Sequence, residues 1–205
     1  MSGPSATGEL ERRALVLEYF TIAWNVIEAL VALVAGWLAG SIALVGFGLD
    51  SLIEVTSAVA LVWRLRMTGD PDAELEAERR ALRIVGYTLF ALAAYVTLQA
   101  GSILLRRASP EESFVGIALA AVSLIVMPWL GFAKKKLAKR LGSRALDADA
   151  TETLVCSYLS LTLLAGLGAN ALWGWWWADP VAALTIVAFV LHEGKEALEH
   201  SRDAG

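Results

Sequence analysis

The sequence predicts an all-α, polytopic membrane protein with six transmembrane helices and both termini in the cytoplasm. Three observations carry that expectation. The 205 residues are 57% hydrophobic and 19% charged, with a mean hydropathy of +0.59, where soluble domains are about 45–50% apolar and about 25% charged. The apolar residues fall into six runs near the roughly 20 residues that a helix needs to cross a hydrocarbon core about 30 Å thick. Lysine and arginine collect on one side of those runs. A net charge of −4, with the basic residues in short flanking clusters, speaks against nucleic acid as a partner. The single cysteine, Cys156, excludes a disulfide-stapled secreted domain.

A polar tail, residues 1–14, precedes the first run, Leu15–Leu38, which is too long for a signal-peptide core and is read as retained. The short Ala39–Ser41 link leads to Ile42–Trp63, and a charged connection, Arg64–Arg83, leads to Ile84–Leu105. Arg106–Ser113 then joins Phe114–Phe132, and the basic stretch Lys134–Arg144 joins Thr151–Leu172. The aromatic turn Trp173–Pro180 leads to a short last run, Val181–Leu191, which extends backward through Trp175–Ala178 and forward past His192. A transmembrane domain over residues 15–191 and a cytoplasmic tail over 192–205 are therefore expected. Strands are not, because open sheet edges cannot sit in hydrocarbon and barrel strands alternate strictly over about ten residues. Fifteen of the seventeen Lys and Arg lie in the two tails and in the 64–83 and 134–144 segments, with Arg106 and Arg107 on the opposite side. The positive-inside rule then places both ends in the cytoplasm. Trp37, Trp173, Trp175, Trp176 and Trp177 fall near the outer interface, and Trp63 and Trp129 near the inner one, as headgroup anchors do.

Function is sought in the ionisable residues inside the runs. A charge near the bilayer centre costs at least about 2.5–3.5 kcal/mol, so such groups line pathways or pair with one another. Asp50 and Glu54 stand at i and i+4 on the second helix, with Ser57 continuing the stripe. Asp149, Glu152 and Cys156 share a face of the fifth. Neither run contains Lys or Arg. Two such faces brought together form a pocket of carboxylate oxygens and a sulfur that either binds a cation or holds protons. Carboxylate and thiolate ligands at about 2.0–2.3 Å describe a zinc-type site. The thiolate argues against magnesium and calcium, while manganese, iron, cobalt and cadmium remain open. Four ionised ligands around a divalent ion leave the site net negative, a reason for protons to replace the metal as it departs.

Glu18, Thr21, Asn25 and Glu28 line one face of the first helix, as a vestibule wall or proton path would. Glu28, Asp149 and Asn25 are the candidates for that path or for a secondary ligand. Interhelical hydrogen bonding is the alternative for Asn25, capping of the fifth helix for Asp149, and a backbone partner for Asp50. Tyr95, Gln99 and Ser102 on the third helix read as packing.

With these residues in view, the sequence resembles the cation diffusion facilitator family. GSIALVGFGLDSLIEVTSA (40–58) is similar to that family's second helix, and SRALDADATETLVCSYLS (143–160) to the start of its fifth. Trp-Ala-Asp-Pro at 177–180 resembles the approach to its sixth. The resemblance implies a transport site of Asp50, Glu54, Glu152 and Cys156. Glu54 stands where the family usually has Asp, Glu152 where it has His or Asp, and Cys156 where it has Asp, so the metal's identity is not carried over. Asp149 matches a family Asp that is not usually a direct ligand.

A cytoplasmic ferredoxin-like domain is typical of the family, and only fourteen residues follow Leu191. The compact form, with Val62–Arg66 ending its second helix, looks like the small zinc-transporting vesicular membrane proteins of animals. A homodimer is then expected to rest on membrane contacts, for which Ala93, Thr97 and Gly101 or Ala32, Gly36 and Gly40 offer small-residue stripes. His192, Glu196 and His200 share a face of the tail, either as a loose metal site or as an ordinary solvated face.

The expected function is proton-coupled export of a divalent cation by alternating access, with zinc placed first. No catalysis and no cofactor are expected, and no G-x-x-x-x-G-K-[ST] loop is present. The expected partners are the metal ion, protons, the lipid bilayer and a second copy, and the expected location is a bacterial-type plasma (inner) membrane. The rivals are a proton- or sodium-coupled organic-cation carrier and a non-transporting membrane scaffold.

Overall fold

The computed structural model describes residues 6–39, 42–67, 71–107 and 114–203. Six helices account for nearly all of them: α1 (Ala6–Ala39), α2 (Ile42–Arg66), α3 (Pro71–Arg106), α4 (Phe114–Leu141), α5 (Arg144–Trp173) and α6 (Ala178–Asp203). Residues 40–41 of the first link and 108–113 of the third connection lie outside the described residues, as do residues 1–5 of the tail and Gly40 of the α1 stripe.

The helices appear in the expected order but run past the apolar segments. α3 begins at Pro71 rather than Ile84, α5 at Arg144 rather than Thr151, and the stretches read as tails are helical over 6–14 and 192–203. Hydropathy marks only what suits hydrocarbon, whereas Ala, Glu, Lys and Arg extend a helix readily into water. Local signals set the true ends. Pro71 occupies the first position of α3, followed by Asp72 and Glu74 in the first turn, and Lys139 and Arg140 stand in the last turn of α4. Gly142, at φ 67°, stops α4, and the Ser143 amide reaches back to the Ala138 carbonyl at 3.2 Å. Ser143 then opens α5, its hydroxyl accepting the Leu146 N–H at 3.2 Å. Asp149 therefore lies in the second turn of α5 and does not cap it.

Among the described residues, four helices, α1 to α4, are long and apolar enough to cross a membrane. The expected six crossings are not all supported on this criterion. The charged residues of α5 all lie in its first three turns, before an uncharged run from Thr153 to Trp173, and α6 is charged over its second half.

α1 packs chiefly on α2, α3 on α6 and α4 on α5, with α2 and α5 also touching each other. The main core joins Leu61 and Leu65 of α2 to Leu82, Leu89 and Leu92 of α3, Leu146 and Val155 of α5 and Val190 of α6. The α1 stripe is used within the chain, since a Cβ on Gly36 would lie 2.7 Å from the Val45 backbone nitrogen. Gly101 of the α3 stripe faces open space. The side-chain ends of Tyr95 and Gln99 of α3 sit where a Cβ on Gly46 would project, so that glycine makes room for them at the α2–α3 contact. Large apolar side chains cover the outside, Trp37 among them at 84% exposed. Trp175 stacks on Trp177 with ring centroids 5.6 Å apart.

A candidate cation site between α2 and α5

The stripes identified from spacing turn inward. Asp50, Glu54, Glu152 and Cys156 are all buried, as are Glu18, Thr21, Asn25 and Glu28 on α1. The α2 and α5 faces meet. Thr153 on α5 donates to Glu54 at 2.6 Å, Ser57 on α2 donates to Asp149 at 2.5 Å, and the Cys156 thiol donates to Asp50. Neighbouring helices add hydroxyls: Thr88 of α3 donates to Glu152 at 3.2 Å and Ser51 of α2 to Glu28 of α1 at 3.1 Å. Each acid thus has one neutral donor, and one oxygen of each of Glu28, Asp50, Glu54 and Glu152 has no hydrogen-bond partner.

The absence of Lys and Arg from the second and fifth runs suggested a site without countercharge. The structure corrects this. Lys134, read as part of a basic connection, is fully buried on α4 and forms ion pairs with Asp149 at 2.6 Å and Glu18 at 3.1 Å. Its ammonium also donates to the Thr153 hydroxyl at 3.3 Å, so Lys134, Thr153 and Glu54 form a relay. A helical wheel of α4 holds the signal, since Ser123, Met127, Leu130 and Lys134 recur at intervals of four, three and four and are all buried. Lys135, one residue on, points elsewhere and pairs with Asp147 at 2.8 Å.

One further expectation is placed differently, and the shared face of the α6 histidines is found as an exposed one. The Asn25 amide donates to the Thr21 carbonyl of its own helix at 3.1 Å, not to a neighbour. His192 and His200 flank Glu196 at 3.9 and 4.0 Å on a largely exposed face of α6. Among the described residues, no three His, Cys, Asp or Glu side chains stand close enough together to hold a metal ion as they are.

The polar groups form a column through the bundle. A cavity of about 50 Å³ reaches Asp50 between α3, α5 and α6, with Gln99 and Thr162 on its walls and Pro180 toward the α5–α6 turn. Beyond Asp50 and Cys156 come Glu54, Thr153 and Glu152, and then the Glu18–Lys134–Asp149 cluster toward the α4–α5 turn. That turn is tied down by Glu78 of α3, which accepts from the Ser143 hydroxyl at 2.9 Å and the Ala145 amide at 2.8 Å and pairs with Arg64 of α2.

Comparison with known proteins agrees with this architecture. Residues 19–204 match the family profile of the cation efflux transmembrane domain. An uncharacterized transporter of Synechocystis is 26% identical over 170 residues, 80% of this chain and 55% of the relative. The manganese efflux system protein MneS of Bacillus subtilis is 26% identical over 172 residues, 81% of this chain and 59% of the relative. Transmembrane protein 163 of Xenopus laevis is 26% identical over 161 residues, 78% and 57% of the two chains. The chain thus spans under three fifths of the length of the curated relatives it matches.

Proposed function

Because the chain belongs to the cation efflux family, an integral membrane family of transporters rather than enzymes, we propose that it exports a divalent transition-metal cation through the column between α2 and α5. The observation that carries this reading is the meeting of the α2 and α5 faces in a buried interior, where the Cys156 thiol donates to Asp50 and Thr153 to Glu54, with Glu152 buried on the same face of α5 as Cys156. Asp50, Glu54, Glu152 and Cys156 are the proposed ligands. Zinc is the first candidate because a sulfur stands among the oxygens. Manganese is the second, on the likeness to a manganese efflux protein.

The resting contacts suggest how an ion is admitted. Glu54, Glu152 and Asp50 are each held by a neutral donor, Thr153, Thr88 or Cys156. Exchanging such a hydrogen bond for a metal contact forfeits about 1 kcal/mol per bond, a small cost beside the attraction between a divalent ion and several carboxylates. When the ion leaves, protons and the ammonium of Lys134 supply the countercharge, which is the basis of the proposed proton antiport. Glu28, Asn25 and Asp149 lie along the column as candidate proton-path or secondary groups, with Asp149 already engaged by Lys134. Six crossings with both ends in the cytoplasm, and assembly as a homodimer, complete the proposal.

The test is flux in proteoliposomes containing a zinc- or cadmium-sensitive dye, with an imposed pH gradient. Wild-type protein should move metal, and Asp50→Asn and Glu152→Gln should abolish the movement. Absence of flux with zinc, cadmium, manganese, iron and cobalt alike would leave a scaffold. Flux unaltered by Cys156→Ser, coupled to an organic cation, would favour a carrier of that class.

A further inference from the structure

We propose that the groove between α1 and α4, at the end of the bundle rich in Lys and Arg, binds the headgroup of an anionic phospholipid. The groove encloses about 520 Å³ and is lined by Arg12 and Arg13 of α1 and by Lys136 and Arg140 of α4. Its floor includes Leu17 and Leu137. The four cations come from two helices at i,i+1 and i,i+4 spacing, so they converge from both walls. The one carboxylate on the lining, Glu9, is held by Arg13 at 2.5 Å. Among the described residues, no ion pair engages Arg12, Lys136 or Arg140.

The three consecutive lysines of α4 show that this is not simply a basic helix end. Lys134 points inward and meets Asp149 and Glu18, and Lys135 meets Asp147. Lys136 points into the groove, where no carboxylate is provided for it beyond the one Arg13 occupies. An anion seated between these cations would come from outside the chain.

The chemistry of that anion follows from what adjoins the groove. Val16, Phe20, Trp129 and Phe132 continue along the α1–α4 seam, 45–66% exposed, and Phe20 meets Trp129 edge-on with ring centroids 6.3 Å apart. A cationic cleft that opens onto an apolar, aromatic strip fits a phosphodiester carrying acyl chains. A free phosphate would leave the strip unused, and an acidic peptide would have to enter hydrocarbon to reach it. Basic pockets between helices at a membrane surface bind anionic headgroups by this combination. The headgroup would bridge the same two helices whose inner faces carry Glu18 and Lys134. The inference needs membrane insertion only and is independent of the transport reading.

The test uses the full chain in non-ionic detergent, titrated with phosphatidylglycerol, with phosphatidylcholine of the same chains, and with inorganic phosphate, and native mass spectrometry counts the adducts. Saturable phosphatidylglycerol binding is expected, with phosphatidylcholine and phosphate weaker. Each cation is worth roughly fivefold in affinity, so the triple variant Arg12→Gln/Lys136→Gln/Arg140→Gln should lose on the order of a hundredfold. The control Lys195→Gln/Arg202→Gln on α6 should stay within about twofold. All three groove side chains are exposed, and an unchanged melting temperature in phosphatidylcholine checks that the triple variant is folded. Equal binding of the two lipids, an unaffected triple variant, or phosphate binding as tightly as the lipid would each overturn the proposal. Cross-linking of Lys136→Cys chains to one another would overturn it in favour of a second copy in the groove.

Discussion

Replacing Lys134 by Met should destabilise the protein by about 3–5 kcal/mol, the usual cost of removing one partner from a buried ion pair. The magnitude needs no discount for screening, because Lys134, Glu18 and Asp149 have no solvent exposure. Met matches the length of the lysine stem, so little of the loss comes from a cavity. It comes from Asp149, which loses a 2.6 Å partner and keeps only Ser57, and from Glu18, which loses its 3.1 Å partner. Asp149→Asn alone should cost more than Glu18→Gln alone, since the Asp149 contact is a well-formed hydrogen bond and the Glu18 contact is not oriented as one. The double variant Lys134→Met/Asp149→Asn should recover about 2 kcal/mol relative to the sum of the single losses. Equilibrium unfolding in mixed micelles, followed through the eight tryptophans, measures all four species. A loss below about 1 kcal/mol for Lys134→Met, as for a surface pair, would refute the reasoning. So would additivity within about 0.5 kcal/mol.

Three other outcomes are expected. Cys156→Ser should weaken cadmium and zinc binding by roughly 10–100-fold while leaving manganese much less affected, as titration calorimetry would register. Thr153→Val keeps the shape but removes the hydroxyl between Lys134 and Glu54, and should cost about 1–3 kcal/mol in the same unfolding assay. Gly36→Ala places a Cβ 2.7 Å from the Val45 backbone and should cost about 1–3 kcal/mol, whereas Gly101→Ala meets nothing and should gain up to about 1 kcal/mol. Melting temperatures of the two alanine variants should therefore move in opposite directions.

The helical class, the order of the six elements and the inward faces of α1, α2 and α5 were legible because apolar runs and 3–4 spacing report directly on what a helix turns away from lipid. Helix lengths were not. Pro71–Arg83 and Arg144–Ala150 look like connections on a hydropathy scale, yet their Ala, Glu and Arg content favours helix. Lys134 escaped for a different reason. Positive-inside counting treats Lys134–Lys136 as one basic patch, while burial separates them into an interior lysine, a paired lysine and a groove lysine. Thr88 escaped because a hydroxyl on a long apolar helix carries no periodic signal of its own, and only the fold brings it to Glu152.

α4 also contains Pro128, midway between Ser123, which lies beside Glu28, and Lys134. A proline supplies no amide hydrogen, so the carbonyl of Leu124 lacks its rung in the ladder and the helix is soft at that joint. The first half lies against α1 at Ser123, whereas the second is tied by Lys134 to both Glu18 of α1 and Asp149 of α5. Bending at Pro128 would let the Ser123 half tilt while the ion pairs of Lys134 hold the other half in place, so α4 is built as a fixed segment and a movable one on a common pivot rather than as one stiff rod.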